Sequence, residues 1–405
     1  MLYDLHELQR TILAPLTAFT ETGSQLFSNP YSPLAYTPLS RQFAATYELA
    51  HRMGKEYEKP AWNLHTTTID KQEVAVTEET VLAQPFCRLV HFRRDTQNQD
   101  PCILLVAPLS GHHATLLRDT VRTLLPNHDV YVTDWIDARM VPASEGTFGL
   151  DDYVHYVQTF LRHLGPDTHV ISVCQPTVPV LAAVSLLASH NDPCQPRTMT
   201  MMGGPIDASK SPTQVNRLAT TKSYSWFEDN LIHRVPARYP GIGRQVYPGF
   251  LQHTGFVAMN PDRHLKSHYD FYLHLLRGDD NDAEAHRRFY DEYNAVLDMP
   301  AQFYLDTIRT VFQDFRLPQG TWIIDGDLVD PTAIRHTALL TIEGELDDIS
   351  GSGQTHAAQD LCKNLPDSMR EAYTAAECGH YGIFSGRRWR SRIYPKISAF
   401  IRAHP

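Results

Sequence analysis

Between Cys102 and Gly204 the chain alternates short apolar runs with longer amphipathic ones, and that rhythm restricts its fold more than any other feature. The runs 102–107, 128–135, 168–174 and 198–202 read as buried strands. Between them, 113–125 carries Leu116, Leu117, Val121, Leu124 and Leu125 on one helical face, and 150–164 carries Tyr153, Val157, Phe160 and Leu161. Strands alternating with helices of this length pair in parallel and cross over right-handedly. The expected class is α/β, with a mostly parallel central sheet flanked by helices. An early strand is expected at 86–92, and residues 1–60 read as helical.

After Gly204 the rhythm stops. Aromatics, histidines and prolines take over, as in Tyr247-Pro248-Gly249-Phe250-Leu251-Gln252-His253, and a strand pattern returns only at 338–342. A length of 405 residues suits one large α/β unit with an insertion. The expected segments are an N-terminal helical part (1–60), a first core part (61–204), an inserted lid (205–336) and a second core part (337–405). Placed before a late strand, such an insertion would lie over the carboxyl ends of the sheet.

Charge and apolar patterning narrow the partners. A formal net charge of -10, with no basic stripe, argues against nucleic acid. Asp4, His6, Glu7 and Arg10 interrupt any secretion signal, and no run of 18 apolar residues exists, so a cytoplasmic protein with no transmembrane segment is expected. Leu5, Leu8, Ile12, Leu16 and Phe19 recur at helical spacing. This face is expected to pack on the protein's own core, the alternative being contact with a hydrophobic particle. Cys87, Cys102, Cys174, Cys194, Cys362 and Cys378 form no Cys-x-x-Cys pair, as for reduced thiols.

The chemistry concentrates at Thr168-His169-Val170-Ile171-Ser172-Val173-Cys174-Gln175-Pro176-Thr177, a strand, sharp turn and helix start with cysteine at the turn. In an α/β-hydrolase the nucleophile occupies this place, within Gly-x-Ser-x-Gly. Here Ser172 and Pro176 are the flanks; serine is nearly as small as glycine, and proline suits a first helical turn. A cysteine ending an apolar strand is more commonly inert core. Downstream, however, the run 338–342 ends in Glu343-Gly344-Glu345-Leu346-Asp347-Asp348, and Cys378-Gly379-His380-Tyr381-Gly382 follows. Nucleophile, acid and base thus stand in the hydrolase order. The amide of Gln175 and that of Leu109 or Ser110, in the loop after the 102–107 strand, would form the oxyanion hole. Adjacent His112 and His113 point in different directions and lack a third ligand, so no metal is expected, and no cofactor.

Together these segments resemble the intracellular polyhydroxybutyrate depolymerases. The resemblance runs the length of the chain: Met1-Leu2-Tyr3 with Leu5-His6, then 54–60, 108–125, 131–139, 172–179, Gln252-His253, 344–351 and 378–389. It implies a cysteine in place of the serine of the extracellular enzymes, with Cys174 as nucleophile, Asp347 as acid and His380 as base, Asp348 being the rival acid. It further implies poly(3-hydroxybutyrate) granules as substrate and place of work, and release of 3-hydroxybutyrate monomers or oligomers. Coenzyme A could replace water as acyl acceptor. Two other readings share these features: a synthase-like acyltransferase using the same three residues, and a non-catalytic granule-associated protein.

Overall fold

The computed structural model describes residues 2–259 and 261–405. Nine strands form its main sheet: β1 (Thr66–Ile69), β2 (Gln72–Gln84), β3 (Cys87–Arg94), β4 (Cys102–Val106), β5 (Asp129–Trp135), β6 (Thr168–Val173), β7 (Thr198–Met202), β8 (Ala338–Gly344) and β9 (Arg370–Ala375). Their spatial order is β1-β2-β3-β5-β4-β6-β7-β8-β9. The contiguous strands from β5 to β9 are parallel, whereas β1, β2 and β3 add antiparallel pairings on one side. Every residue of β6, β7 and β8 is buried, which is why these segments read as continuous apolar runs rather than alternating ones. This is an α/β-hydrolase fold.

The strand order places the crevice. From β4 the chain moves to β5 on one side, then crosses back to β6 on the other. Such a reversal opens a cleft at the carboxyl ends of β4 and β6, between the loops that follow them. Helix α4 (Leu150–Leu164) buries Tyr153, Val157, Phe160 and Leu161 as its spacing predicted. By contrast, α5 (Thr177–Ser189) is buried on all sides from Thr177 to Ala188, as a helix apolar all round must be.

Three strands escaped the sequence pattern. β1 is only four residues long, β2 is largely exposed along its thirteen residues and carries three glutamates, and β9 is an edge strand with one well-buried residue. None presents the apolar alternation on which a strand reading rests.

Residues 205–336 contribute helices α6 (Gln214–Thr221), α7 (Tyr224–Leu231), α8 (Gly249–Met259), α9 (Pro261–Arg277), α10 (Asp280–Asn294) and α11 (Ala301–Thr307). A small sheet joins His233–Arg234, Gln245–Tyr247 and Met299–Pro300. From Leu297 onward, Met299, Phe303, Val311, Leu317, Trp322, Ile324, Val329 and Ile334 pack into the same apolar core as the sheet. The last third of this segment is therefore built into the body of the molecule.

The N-terminus overturns one expectation. Helices α1 (Leu2–Ser28) and α2 (Ser40–Gly54) are present, but Leu5, Leu8, Ile12, Leu16 and Phe19 are 56 to 67% exposed. Instead, α1 packs through Tyr3, Glu7, Thr20 and Gly23, while Phe27 meets Phe43 and Tyr47 of α2. Periodicity located the apolar stripe correctly; Phe19 at its end meets Tyr47 edge-on at 5.8 Å, and the buried groups that anchor the helix include polar ones. No helix among the described residues is long and apolar enough to cross a membrane.

Because Trp322 is only 2% exposed and its indole N–H donates to Asp151 Oδ1 at 3.2 Å on the first turn of α4, it ties the end of the inserted segment to the core. Trp322→Ala should lower the unfolding free energy by about 3–5 kcal/mol in urea titrations, whereas Leu265→Ala at an exposed site should change it by less than about 0.5 kcal/mol.

Candidate active site

The site is organised by one unusual backbone conformation. Between β6 and α5, Cys174 has φ 69°, in the left-handed region that a non-glycine residue occupies only at a cost of about 1–2 kcal/mol. Neighbouring groups hold it there. The Cys174 N–H donates to Met202 O at 2.7 Å, and its carbonyl accepts from the Thr177 N–H at 3.2 Å and the Thr177 hydroxyl at 3.0 Å. The turn leaves Cys174 partly exposed while Gln175 and Pro176 are buried.

Room for this turn comes from the neighbouring strand. At Gly204, just beyond β7, a Cβ would lie 1.8 Å from Thr177 Oγ1 and 2.3 Å from Cys174 O. At Gly203 (φ 57°) it would lie 2.5 Å from Ile383 and 3.4 Å from His380 Cε1. The glycines missing around Cys174 thus reappear across the sheet. In the sequence Gly204 marked only the point where the strand–helix rhythm stops; the available signal was a glycine pair at the carboxyl end of an apolar strand.

At the ends of β8 and β9 the loops bring Asp347 and His380 together. Asp347 Oδ2 lies 2.8 Å from His380 Nδ1, and Asp347 Oδ1 accepts from the N–H groups of Ile349 and Ser350, both at 2.9 Å. Cys174 is the other group that acts on His380. With Nδ1 turned to the carboxylate, Nε2 is the ring nitrogen left for the sulfur. Burial disfavours charge on His380, but the sulfur charge of Cys174 and the Asp347 hydrogen bond and charge outweigh it, raising the imidazole to about 10.

The other nearby carboxylates are differently placed. Asp348 is exposed. Glu343 is buried and accepts from the N–H groups of Gly353, Thr355 and His356, and exposed Glu345 accepts from Glu377 N–H.

Across the cleft, the loop after β4 carries Leu109, buried, and Ser110, half-buried. Among the described residues, the amides of Leu109, Ser110 and Gln175 donate to no protein acceptor. Ahead of that loop, Ala107 O accepts two bonds, from Trp135 Nε1 at 2.8 Å and Tyr153 Oη at 2.9 Å. Sequence reasoning placed both aromatics only in the core, and missed that they fix this strand end. His112 stacks on Phe256 at 4.9 Å, with Nε2 3.2 Å from Tyr293 O. Burial pulls His112 down to about 4 and His113 to about 3, so both are neutral.

The family model described as "PHB de-polymerase C-terminus" matches residues 203–405, which include the glycine pair, Asp347 and His380. No curated protein matches the chain significantly. Among solved structures, similar ones include a monoacylglycerol lipase from Paleococcus ferrophilus, at 12% identity and TM-score 0.45 over 75% of this chain and 95% of that one. DcsB, solved with a substrate analogue, gives 12% identity and TM-score 0.46 over 82% and 99%. The 2-hydroxy-6-oxo-6-phenylhexa-2,4-dienoate hydrolase of Rhodococcus sp. strain RHA1 gives 12% and 0.45 over 81% and 99%. With the family match spanning half of its length, the chain belongs to the polyhydroxybutyrate (PHB) depolymerase family.

Proposed function

We propose that the protein is an intracellular depolymerase that cleaves the ester bonds of stored poly(3-hydroxybutyrate) through Cys174, His380 and Asp347. The observation that carries this reading is a left-handed cysteine at the elbow that acts on a histidine held in turn by a buried carboxylate. Membership of a polyester-cleaving family supplies the substrate class.

In the first half-reaction the proton shared by Cys174 and His380 resides on His380 Nε2, and the sulfur adds to the ester carbonyl carbon. The resulting oxyanion sits between the amides of Gln175 and of Leu109 or Ser110, each worth about 3 kcal/mol of barrier in such holes. When the tetrahedral intermediate collapses, the carbon–oxygen bond breaks and His380 returns its proton to the leaving alkoxide, which departs as a hydroxy-terminated chain. The acyl unit remains as a thioester on Cys174. Water then gives a proton to His380 and its oxygen to the carbonyl; the carbon–sulfur bond breaks with its electron pair left on sulfur beside the protonated His380, which restores the starting pair, and a 3-hydroxybutyrate monomer or oligomer is released. The thiol of coenzyme A is chemically competent to replace water in this step. Asp347 fixes the tautomer of His380 and stabilises its positive form.

Residues 205–336 serve in this proposal as the lid. Its mobile part is the stretch before Leu297, since the later side chains belong to the main core. The exposed stripe of α1 meets the granule, and the enzyme works on granules in the cytoplasm.

Cys174→Ala should reduce release of 3-hydroxybutyrate from amorphous polymer to background while leaving the circular-dichroism spectrum and thermal midpoint nearly unchanged, because one sulfur at a strand end contributes little packing. Substantial residual release would place the nucleophile elsewhere. Supplying coenzyme A and looking for hydroxybutyryl-coenzyme A among the products separates thiolysis from hydrolysis.

Asp347→Asn should lower kcat by about two to four orders of magnitude, and Asp348→Asn by less than about threefold, since only the former carboxylate meets His380. The opposite ranking would exchange their roles.

A pH profile tests the electrostatics. With His380 raised to about 10, wild-type activity should persist through neutral pH and fall as the imidazolium is lost near that value. Removing the Asp347 charge removes one cause of the rise, so in the residual activity of Asp347→Asn the alkaline fall should begin at lower pH. An alkaline limb that does not move would show that Asp347 does not set the basicity of His380.

A further inference from the structure

The buried and the exposed sides of α1 address different partners. Its first two turns are fastened to the inserted segment at several points. Tyr3 donates its hydroxyl to Asp298 Oδ2 at 2.7 Å, the His6 ring stacks on Phe250 at 4.0 Å, and Glu7 Oε2 accepts from Arg238 Nη1 at 2.7 Å. Asp298 is a hub. Its Oδ1 accepts from Gly249 N–H at 2.8 Å, and its own N–H donates to Asp137 Oδ1 at 3.2 Å. Phe250 packs edge-on against Tyr3 at 5.5 Å. One buried cluster therefore joins the start of α1, the start of α8 and the loop after β5.

Helix α8 in turn covers the loop after β4. Gln252 is so close that a Cβ at Gly111 would lie 2.6 Å from its Oε1 and 3.2 Å from Phe256, and Phe256 stacks on His112. Gln252 is held there by donating from Nε2 to Tyr247 O at 2.7 Å and Leu297 O at 3.1 Å. Leu297 N–H donates to Gly111 O at 2.8 Å. The segment that α1 fastens is thus the one lying on the Leu109–Ser110 side of the cleft.

On its outer side α1 presents Leu5, Leu8, Ile12, Leu16 and Phe19 to solvent, and from Thr11 to Thr20 it carries no charged residue. An uncharged apolar stripe suits a neutral polyester surface. Helices that bind anionic lipid surfaces carry lysine and arginine beside the apolar face, and this stretch carries none.

We propose that α1 is a latch: adsorption of its stripe to the polymer surface withdraws Tyr3, His6 and Glu7 from Asp298, Phe250 and Arg238, and so releases α8 from the loop that borders the cleft. This rests on the depolymerase reading for its partner, but the latch is a conformational claim that can be tested without turnover. Each contact in the cluster is comparable in strength with what one leucine or phenylalanine gains on leaving water for an apolar surface, so adsorption of five such side chains suffices to exchange for these contacts.

The full-length Cys174→Ala protein is mixed with amorphous poly(3-hydroxybutyrate) particles, and amide hydrogen exchange is followed in Gly249–Met259. Exchange there should rise on adding particles, and should fail to rise in the same protein carrying Ile12→Asp and Leu16→Asp. In otherwise wild-type enzyme, Tyr3→Phe should raise kcat/KM on soluble p-nitrophenyl butyrate by roughly three- to tenfold, as expected for losing one buried hydrogen bond that favours the closed state. Unchanged exchange in α8 with particles bound overturns the latch, as does a rise that persists without the apolar stripe. A rise caused by anionic phospholipid vesicles but not by polymer, or a stable dimer that buries the stripe and leaves α8 unresponsive, overturns it equally. Failure of wild-type enzyme to cleave any ester would instead count against the depolymerase reading, because the exchange measurement needs no chemistry.

Discussion

The left-handed turn at Cys174 is the constraint around which the centre of the molecule is arranged. A side chain in that conformation is strained, and the strain persists only because β7 accepts the cysteine N–H and Thr177 holds its carbonyl from two directions. The turn also requires empty volume beside it, which Gly204 supplies. The loop after β4 is fixed from the opposite side, where a single carbonyl, that of Ala107, takes hydrogen bonds from both Trp135 and Tyr153. A rigid elbow and a rigid loop thus face each other across the point at which strand order reverses.

Electrostatics completes the arrangement. Burying an imidazole normally favours its neutral form, as at His112 and His113, which share the molecule with His380 but not its partners. At His380 the same burial is overcome by Cys174 and by the Asp347 carboxylate. Asp347 can supply one of them because its second oxygen is already bound by two backbone N–H groups. The contrast between these three histidines shows that partner geometry, more than depth, sets the charge.

Which parts of this were legible in the sequence follows from what a linear pattern encodes. Strands β6, β7 and β8, buried on both faces, appeared as apolar runs, and α4 appeared with its inward residues correct. The order of cysteine, carboxylates and histidine was likewise visible. β2 and β9 were not, because strands with little burial need no apolar alternation. Neither could spacing choose between Asp347 and Asp348, since the choice depends on which carboxylate the turn directs toward His380. Gly204 was invisible as a spacer because its neighbour, Thr177, lies in another βα unit. The outward-facing stripe of α1 misled for a related reason: periodicity identifies an apolar face, and the buried anchors of this helix include a glutamate and a threonine.

The pairing of β7 with β8 bears on how the chain reaches this state. Thr198 to Met202 lie beside Ala338 to Ile342, so two adjacent central strands are separated in sequence by the whole of 203–337. Until β8 arrives, β7 is an apolar edge with unpaired backbone groups, a template for pairing with another chain. Closing so long a loop before a parallel pairing can be gained makes folding slow, and during synthesis the elbow emerges well before the strand that completes its sheet. The burial of Leu297 to Ile334 against the core shortens the effective loop, carrying the chain back across the body and delivering β8 to its place. The packed end of the insertion is thus also a guide for assembly, and protects the growing sheet from its own exposed edge.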